Sequence, residues 1–320
     1  MKILKSLLLT AFFALSLGPL NAQDLTEIVD LYNNGVKALQ EGQYPQAISD
    51  IEKALQMAAA VEEDEQALAI KANCEKIIPQ LYLSYAKQQV NAKNYAEAIQ
   101  HLLKAKEIAE KYADDDVMIS SEDLLPQVYM VKGSADVEDG NVEAGIAEYH
   151  KALLLDKNNS TIYLRLALAQ LEADEASAIS NFEQIIAMET AKPADLAVAQ
   201  RQMCNIYLKR AVAAQPAKKW NEMYENAQKA IEYNNTNMSA FRAMGQSAVE
   251  LKKWKEAISA YDTVLGADPD AKDKSTIVYR LALSYENSNN KAKACSYYKQ
   301  IVKDAQFKAF AEQKVKELCQ

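Results

Sequence analysis

Lys252-Lys253-Trp254-Lys255-Glu256-Ala257-Ile258 is the stretch that decides how this 320-residue chain is read, because it recurs in altered form. Gly42-Gln43-Tyr44-Pro45-Gln46-Ala47-Ile48 is a second copy, and Asn94-Tyr95-Ala96-Glu97-Ala98-Ile99 is a third. Each puts an aromatic ring three residues before an alanine, with an isoleucine directly after it. Extended outward from 252–258, the pattern occupies about 34 residues and returns seven times along the chain. The fullest copy carries Phe241, Met244, Gly245, Ala248, Trp254, Ala257, Tyr261, Val264 and Pro269, at repeat positions 4, 7, 8, 11, 17, 20, 24, 27 and 32.

The physics of those positions is that of a helix hairpin. Phe241, Met244 and Ala248 form one apolar stripe at helical spacing, and Ala257, Tyr261 and Val264 form a second. Gly or Ala at positions 8 and 20 lets two helices approach closely, and the large residues fill the space on either side. Composition agrees: 52 Ala with only 8 Gly and 7 Pro disfavours a β-sandwich or barrel. A hydrophobic content of 49% with 25% charge argues against disorder. Each hairpin leaves a face that only a neighbour can cover, so the copies are expected to stack.

This pattern resembles the tetratricopeptide repeat (TPR). The resemblance implies an all-α fold: a right-handed α-α superhelix of about seven helix hairpins plus a C-terminal capping helix. The repeats are expected at 28–61, 79–112, 126–159, 160–191, 204–237, 238–271 and 275–308, with the cap at 309–319, as one solenoid over 23–320. Length alone would suggest two domains; the unbroken repeat prefers one. Three insertions, near 62–78, 113–125 and 192–203, read as helical extensions that kink or restart at Pro79 and Pro126. At the joints Asn158-Asn159-Ser160 and Asn234-Asn235-Thr236, Ser and Thr can cap the following helix. Asn158, Asn159 and Asn237 also open glycosylation sequons, for which capping is the preferred reading.

Residues 1–22, MKILKSLLLTAFFALSLGPLNA, have the order of a secretory signal peptide. Lys2 and Lys5 precede an apolar run from Leu7 to Leu17, which is too short to span a bilayer. The end, Asn21-Ala22-Gln23, resembles the signal peptides of Bacteroidota envelope proteins. The chain is therefore expected to be exported, periplasmic or secreted, with cleavage near Ala22 and no stable membrane insertion afterwards. Cleavage leaves 34 basic against 44 acidic residues, the wrong sign for nucleic acid. The charge reads as evenly spread, which suits solubility more than attraction to a basic partner.

In TPR proteins the first helix of each repeat lines the concave groove, and the resemblance carries that role onto this chain. It points to Tyr32, Val36 and Leu39 in the first repeat, Leu83 and Lys87 in the second, and Met130 in the third. It points further to Leu164, Leu168 and Leu171, to Leu208 and Val212, to Arg242 and Gln246, and to Tyr279 and Leu283. This groove is mostly apolar, which suits a helical or extended peptide; burial of the same residues as core is the competing reading. The Lys/Asn/Lys/Arg set by which some TPR domains clamp a chaperone's C-terminal carboxylate is missing.

Cys295 and Cys319 lie 11 residues before and 13 residues after a turn near Gln306. They are therefore roughly level on antiparallel helices, and a disulfide between them is feasible. Cys74 and Cys204 are too far apart in the repeat order to pair. His101 and His150 each stand alone and read as surface residues. Asp114-Asp115-Asp116 lacks the spacing of a calcium loop and reads as a solvated linker. No catalytic, cofactor-binding or metal-ligating set is expected. The expected function is a non-enzymatic binding scaffold of the cell envelope with a protein or peptide partner. The alternative is a carrier or sensor of a small glycan or lipid fragment held in a closed pocket.

Overall fold

The computed structural model describes residues 22–61 and 64–319. The signal-peptide reading of 1–22 therefore lies almost wholly outside the described residues. Among these there are fifteen α-helices and no strand, so the protein is all-α and built from antiparallel helix hairpins. The chain divides into two compact units, 1–157 and 158–320.

The first unit holds α1 (Ala22–Gln40), α2 (Tyr44–Ala59), α3 (Glu65–Asn91), α4 (Tyr95–Tyr112), α5 (Asp115–Glu138) and α6 (Val142–Leu155). Consecutive helices pack, and the first helices of the hairpins also touch: α1 meets α3, and α3 meets α5. The second helices, α2, α4 and α6, do not touch one another. The first helices therefore form the inner side of the unit.

The second unit holds α7 (Ser160–Gln170), α8 (Glu175–Ala187), α9 (Pro193–Ala214), α10 (Trp220–Tyr233), α11 (Met238–Glu250) and α12 (Trp254–Ala267). It ends with α13 (Lys274–Asn287), α14 (Lys291–Gln300) and the cap α15 (Lys308–Leu318). Here α7, α9, α11 and α13 touch in series, while the backbones of α8, α10, α12 and α14 stay apart. The cap packs on α14.

The small residues at positions 8 and 20 act where the pattern places them. A Cβ added to Gly145 would lie 2.6 Å from the Gly133 carbonyl oxygen and 2.5 Å from Val137. No side chain fits between α5 and α6 at that crossing. Ala47, Ala98, Ala178, Ala257 and Ala294 hold position 20 in five of the other repeats and are fully buried, and Met223 holds it, also buried, in the fifth repeat.

The hairpin turns share a feature that the repeat pattern did not reveal. Gly42, Lys93, Gly140, Lys218, Lys252 and Asn289 all hold repeat position 15, and all have positive φ, between 55° and 86°. The next residue's N–H reaches back five residues to the first helix, as in Asn94 to Gln89 (2.9 Å) and Lys253 to Ala248 (2.8 Å). That is the closure of a helix by a left-handed residue. The fourth hairpin lacks the residue, and Asp174 caps α8 instead through the Ser177 N–H.

The insertions are helical extensions as expected, of α3, α5 and α9; of the two alternatives at Pro79 and Pro126 the restart does not occur, since both lie inside continuous helices. Other expectations are corrected. Asn159 and Asn237, in place of the neighbouring Ser or Thr, cap α7 and α11 through pairs of backbone N–H groups. Asp114 is no linker residue: it caps α5 by accepting from the Val117 N–H at 3.1 Å. Nor is the charge even. Residues 23–157 carry 25 acidic against 12 basic side chains, whereas 158–320 carry 19 against 22 and hold all five arginines.

Candidate functional site: the inner faces of the two units

The inner face of the first unit is largely closed. Tyr32 and Leu83 are buried, Tyr32 in the core formed with Ile28 and Ile51. Both hold helices together and do not face a partner. The reason is that neighbouring first helices come within contact distance, so residues directed inward at that seam become core. Burial also pushes the Tyr32 phenol above its usual range. Val36, Leu39 and Met130 are half-buried, and Lys87 is exposed. The α5 extension adds Ile119, which is 53% exposed. It lies eleven residues before Met130, three helical turns along the same stripe.

The second unit is more open. Leu164 is buried against Ala167, Phe182 and Met203, so it too is core. Leu168 on α7 and Val212 on α9 share repeat position 9 and are 40% and 53% exposed. Leu171 and Leu208 beside them are half-buried and pack on the same core. The two helices are held together by Asp195 on α9. Its carboxylate accepts from the Ser160 hydroxyl at 2.7 Å and the Thr161 hydroxyl at 2.8 Å. An apolar step of two side chains is thus presented on a polar, hydrogen-bonded footing.

Further along, Arg242 does not point freely into the groove. It grips Asp273, at the start of α13, with Nε and Nη2 at 2.9 and 3.2 Å. Those hydrogen bonds hold the Asp273 carboxyl below the usual carboxylate range. Gln246 and Leu283 are half-buried. Tyr279 is covered: the Phe307 ring stacks on it at 4.8 Å and the Phe310 ring meets it edge-on at 5.5 Å. Glu286, at repeat position 12, is paired with Lys314 of the cap at 2.6 Å.

Cys295 and Cys319 are joined as a disulfide, with Cα atoms 5.4 Å apart. Cys74 and Cys204 are free and buried, and burial pushes the Cys74 thiol up to about 12. His150 is exposed, whereas His101 is half-buried against the rings of Tyr85 at 4.3 Å and Tyr82 at 5.8 Å. No group of three His, Cys, Asp or Glu residues suited to a metal ion occurs among the described residues. Nor is any described helix long and apolar enough to cross a membrane.

No curated protein sequence matches the chain. Among solved structures it is similar to the MamA protein, at 20% identity and a TM-score of 0.34, over 58% of this chain and 94% of that one. It is also similar to YrrB, described as a TPR protein with an unusual peptide-binding site. That match has 17% identity and a TM-score of 0.33, over 62% of this chain and 97% of the other. A tetratricopeptide repeat protein from Parabacteroides merdae matches at 11% identity and a TM-score of 0.29, over 92% and 100% of the two chains. Residues 278–305, which span most of α13 and all of α14, match the family model of the tetratricopeptide repeat.

Proposed function

We propose that this chain is a non-enzymatic protein-interaction scaffold of the cell envelope. It would hold a helical or extended peptide segment against the inner face of its second unit. The observation that carries the reading is the exposure of Leu168 and Val212. They occupy the same repeat position on two first helices in direct contact. Apolar side chains left in water in such a row gain by burial at about 25 cal/mol per Å² when a partner covers them. Half-buried Leu171 and Leu208 widen the strip, and Asp195 keeps the helices at fixed spacing, so the surface is formed before the partner arrives. The tetratricopeptide match at 278–305 supports the same reading, since such hairpins serve as interaction modules. The envelope address rests on the signal-like order of residues 1–22.

The test compares the full chain with its Leu168→Asp/Val212→Asp variant as baits in envelope extract. Both side chains are exposed, so circular dichroism and thermal melting should match in the two proteins. The expected result is a protein partner retained by the parent and lost by the variant, from an exported chain whose mass begins at Gln23. Equal capture by both proteins would overturn the site. No captured protein, together with a small molecule retained in native mass spectrometry, would favour the ligand carrier instead.

A further inference from the structure

The last hairpin has no repeat after it, and the inner-face cover that the next first helix gives Tyr32, Leu83 and Leu164 is supplied here by the C-terminal segment. Tyr279 holds repeat position 5 and Glu286 holds position 12, both inner-face positions. Each is engaged by the C-terminal helix: Tyr279 by Phe307 and Phe310, and Glu286 by Lys314. Phe310 also meets the Tyr298 ring at 5.9 Å, and the Lys314 ammonium sits 5.7 Å from the Phe310 ring centre.

This cover is thin. Of the eleven residues of α15 only Ala311 is buried, and Phe310 remains 37% exposed. A helix of that length is marginal in water by itself, so α15 persists because it is docked. Its start is tied by the short chain from Ile301 to Phe307. Its far end is tied by the bond from Cys319, just past the last turn, to Cys295 on α14, beside the packing of half-buried Val315 and Leu318 on the core. Cys319 is half-exposed, whereas Cys295 is buried.

We propose that α15 is a redox-latched cover over the inner face of the last hairpin. With the Cys295–Cys319 bond formed, the cover stays shut over Tyr279 and Glu286. With it reduced, α15 opens reversibly and the α13 face joins the accessible surface. The chemistry is thiol–disulfide exchange. A dithiol reductant attacks the accessible Cys319 sulfur as a thiolate, and the Cys295 sulfur leaves. The mixed disulfide is then resolved by the reductant's second thiol. Two electrons and two protons pass to the protein, which ends with two thiols, and the reductant ends as a disulfide.

The experiment is hydrogen exchange of the full chain, oxidised and after dithiothreitol, alongside the Cys319→Ser variant. The bond closes a loop of 24 residues in sequence separation. By chain entropy, losing such a closure raises the open population about three-hundredfold. Amides of 308–318 should therefore exchange about that much faster on reduction and in Cys319→Ser, as should those of α13 near Tyr279 by a smaller factor. Amides of α11 and α12 should not change. A second variant, Phe310→Asp with the bond intact, should loosen 308–318 less than reduction does. Unchanged exchange of 308–318 on reduction would overturn the latch. So would loss of protection throughout α13 and α14, which would make the bond a staple for the hairpin fold.

Discussion

The two units share one hairpin geometry and differ in their ties between hairpins. Glycine closes hairpins in both: Gly35 lies against Ile51 and Gly133 against Gly145 in the first, and Gly245 against Tyr261 in the second. Tyrosine hydroxyls on carboxylates also link repeats in both, Tyr82 on Glu52 at 2.8 Å and Tyr297 on Asp262 at 3.3 Å. The first unit adds the lysine pair of Lys106 with Glu122, whereas the second adds the buried Asp195 with Ser160 and Thr161 and the arginine pair of Arg242 with Asp273. The first unit has no arginine, and the second has five. The difference teaches that the repeat pattern specifies how helices within a hairpin meet and leaves the ties between hairpins free to vary. It also separates a strongly acidic body from a nearly balanced one.

Gly145→Ala should break the comparison most strongly. Its methyl group would meet backbone on α5, so the first unit should lose about 1–3 kcal/mol, the range for an overpacked site. Denaturant unfolding followed by hydrogen exchange should find that loss within 23–157 and leave 158–320 unaffected. Asp195→Ala is the counterpart in the second unit. It leaves the buried Ser160 hydroxyl without its acceptor, at about 1–3 kcal/mol for an unsatisfied group. Loosening of α7 against α9 would show as faster exchange in both helices, with the first unit unchanged.

The smallest effect should be common to both units. Lys93→Gly in the first and Lys252→Gly in the second relieve a left-handed backbone, at φ of 63° and 59°. Each should gain up to about 1 kcal/mol, the scale of that steric cost for a side chain. Matched gains in thermal melting would show that the turn belongs to the repeat. A gain in only one unit would show that its setting decides.

The hairpins were legible because close contacts demand specific residue sizes at fixed spacing; Ala257 with Tyr261 and Gly133 with Gly145 say as much in one dimension. The level of Cys295 and Cys319 could be counted for the same reason. Burial at the inner face could not. Repeat position states which way Tyr32, Leu83 and Leu164 point, but not how near the next first helix comes. Nor could the boundary near 157, because the third repeat hands over to the fourth through ordinary joint residues with no linker composition. The charge split stays hidden until that boundary is drawn. The left-handed lysines are not legible in sequence because lysine is not a residue that announces such a turn, and only the fold's hydrogen bonds impose it.

Contact between successive first helices, and none between the backbones of successive second helices, has a mechanical consequence. Within either unit the touching row acts as the neutral line of a leaf spring. Flexing changes the gaps along the outer side, where little is packed, while spacing along the line itself is preserved. Leu168 and Val212 sit on that line in the second unit. A partner seated there would feel a ruler of nearly constant length while the back of the unit breathes.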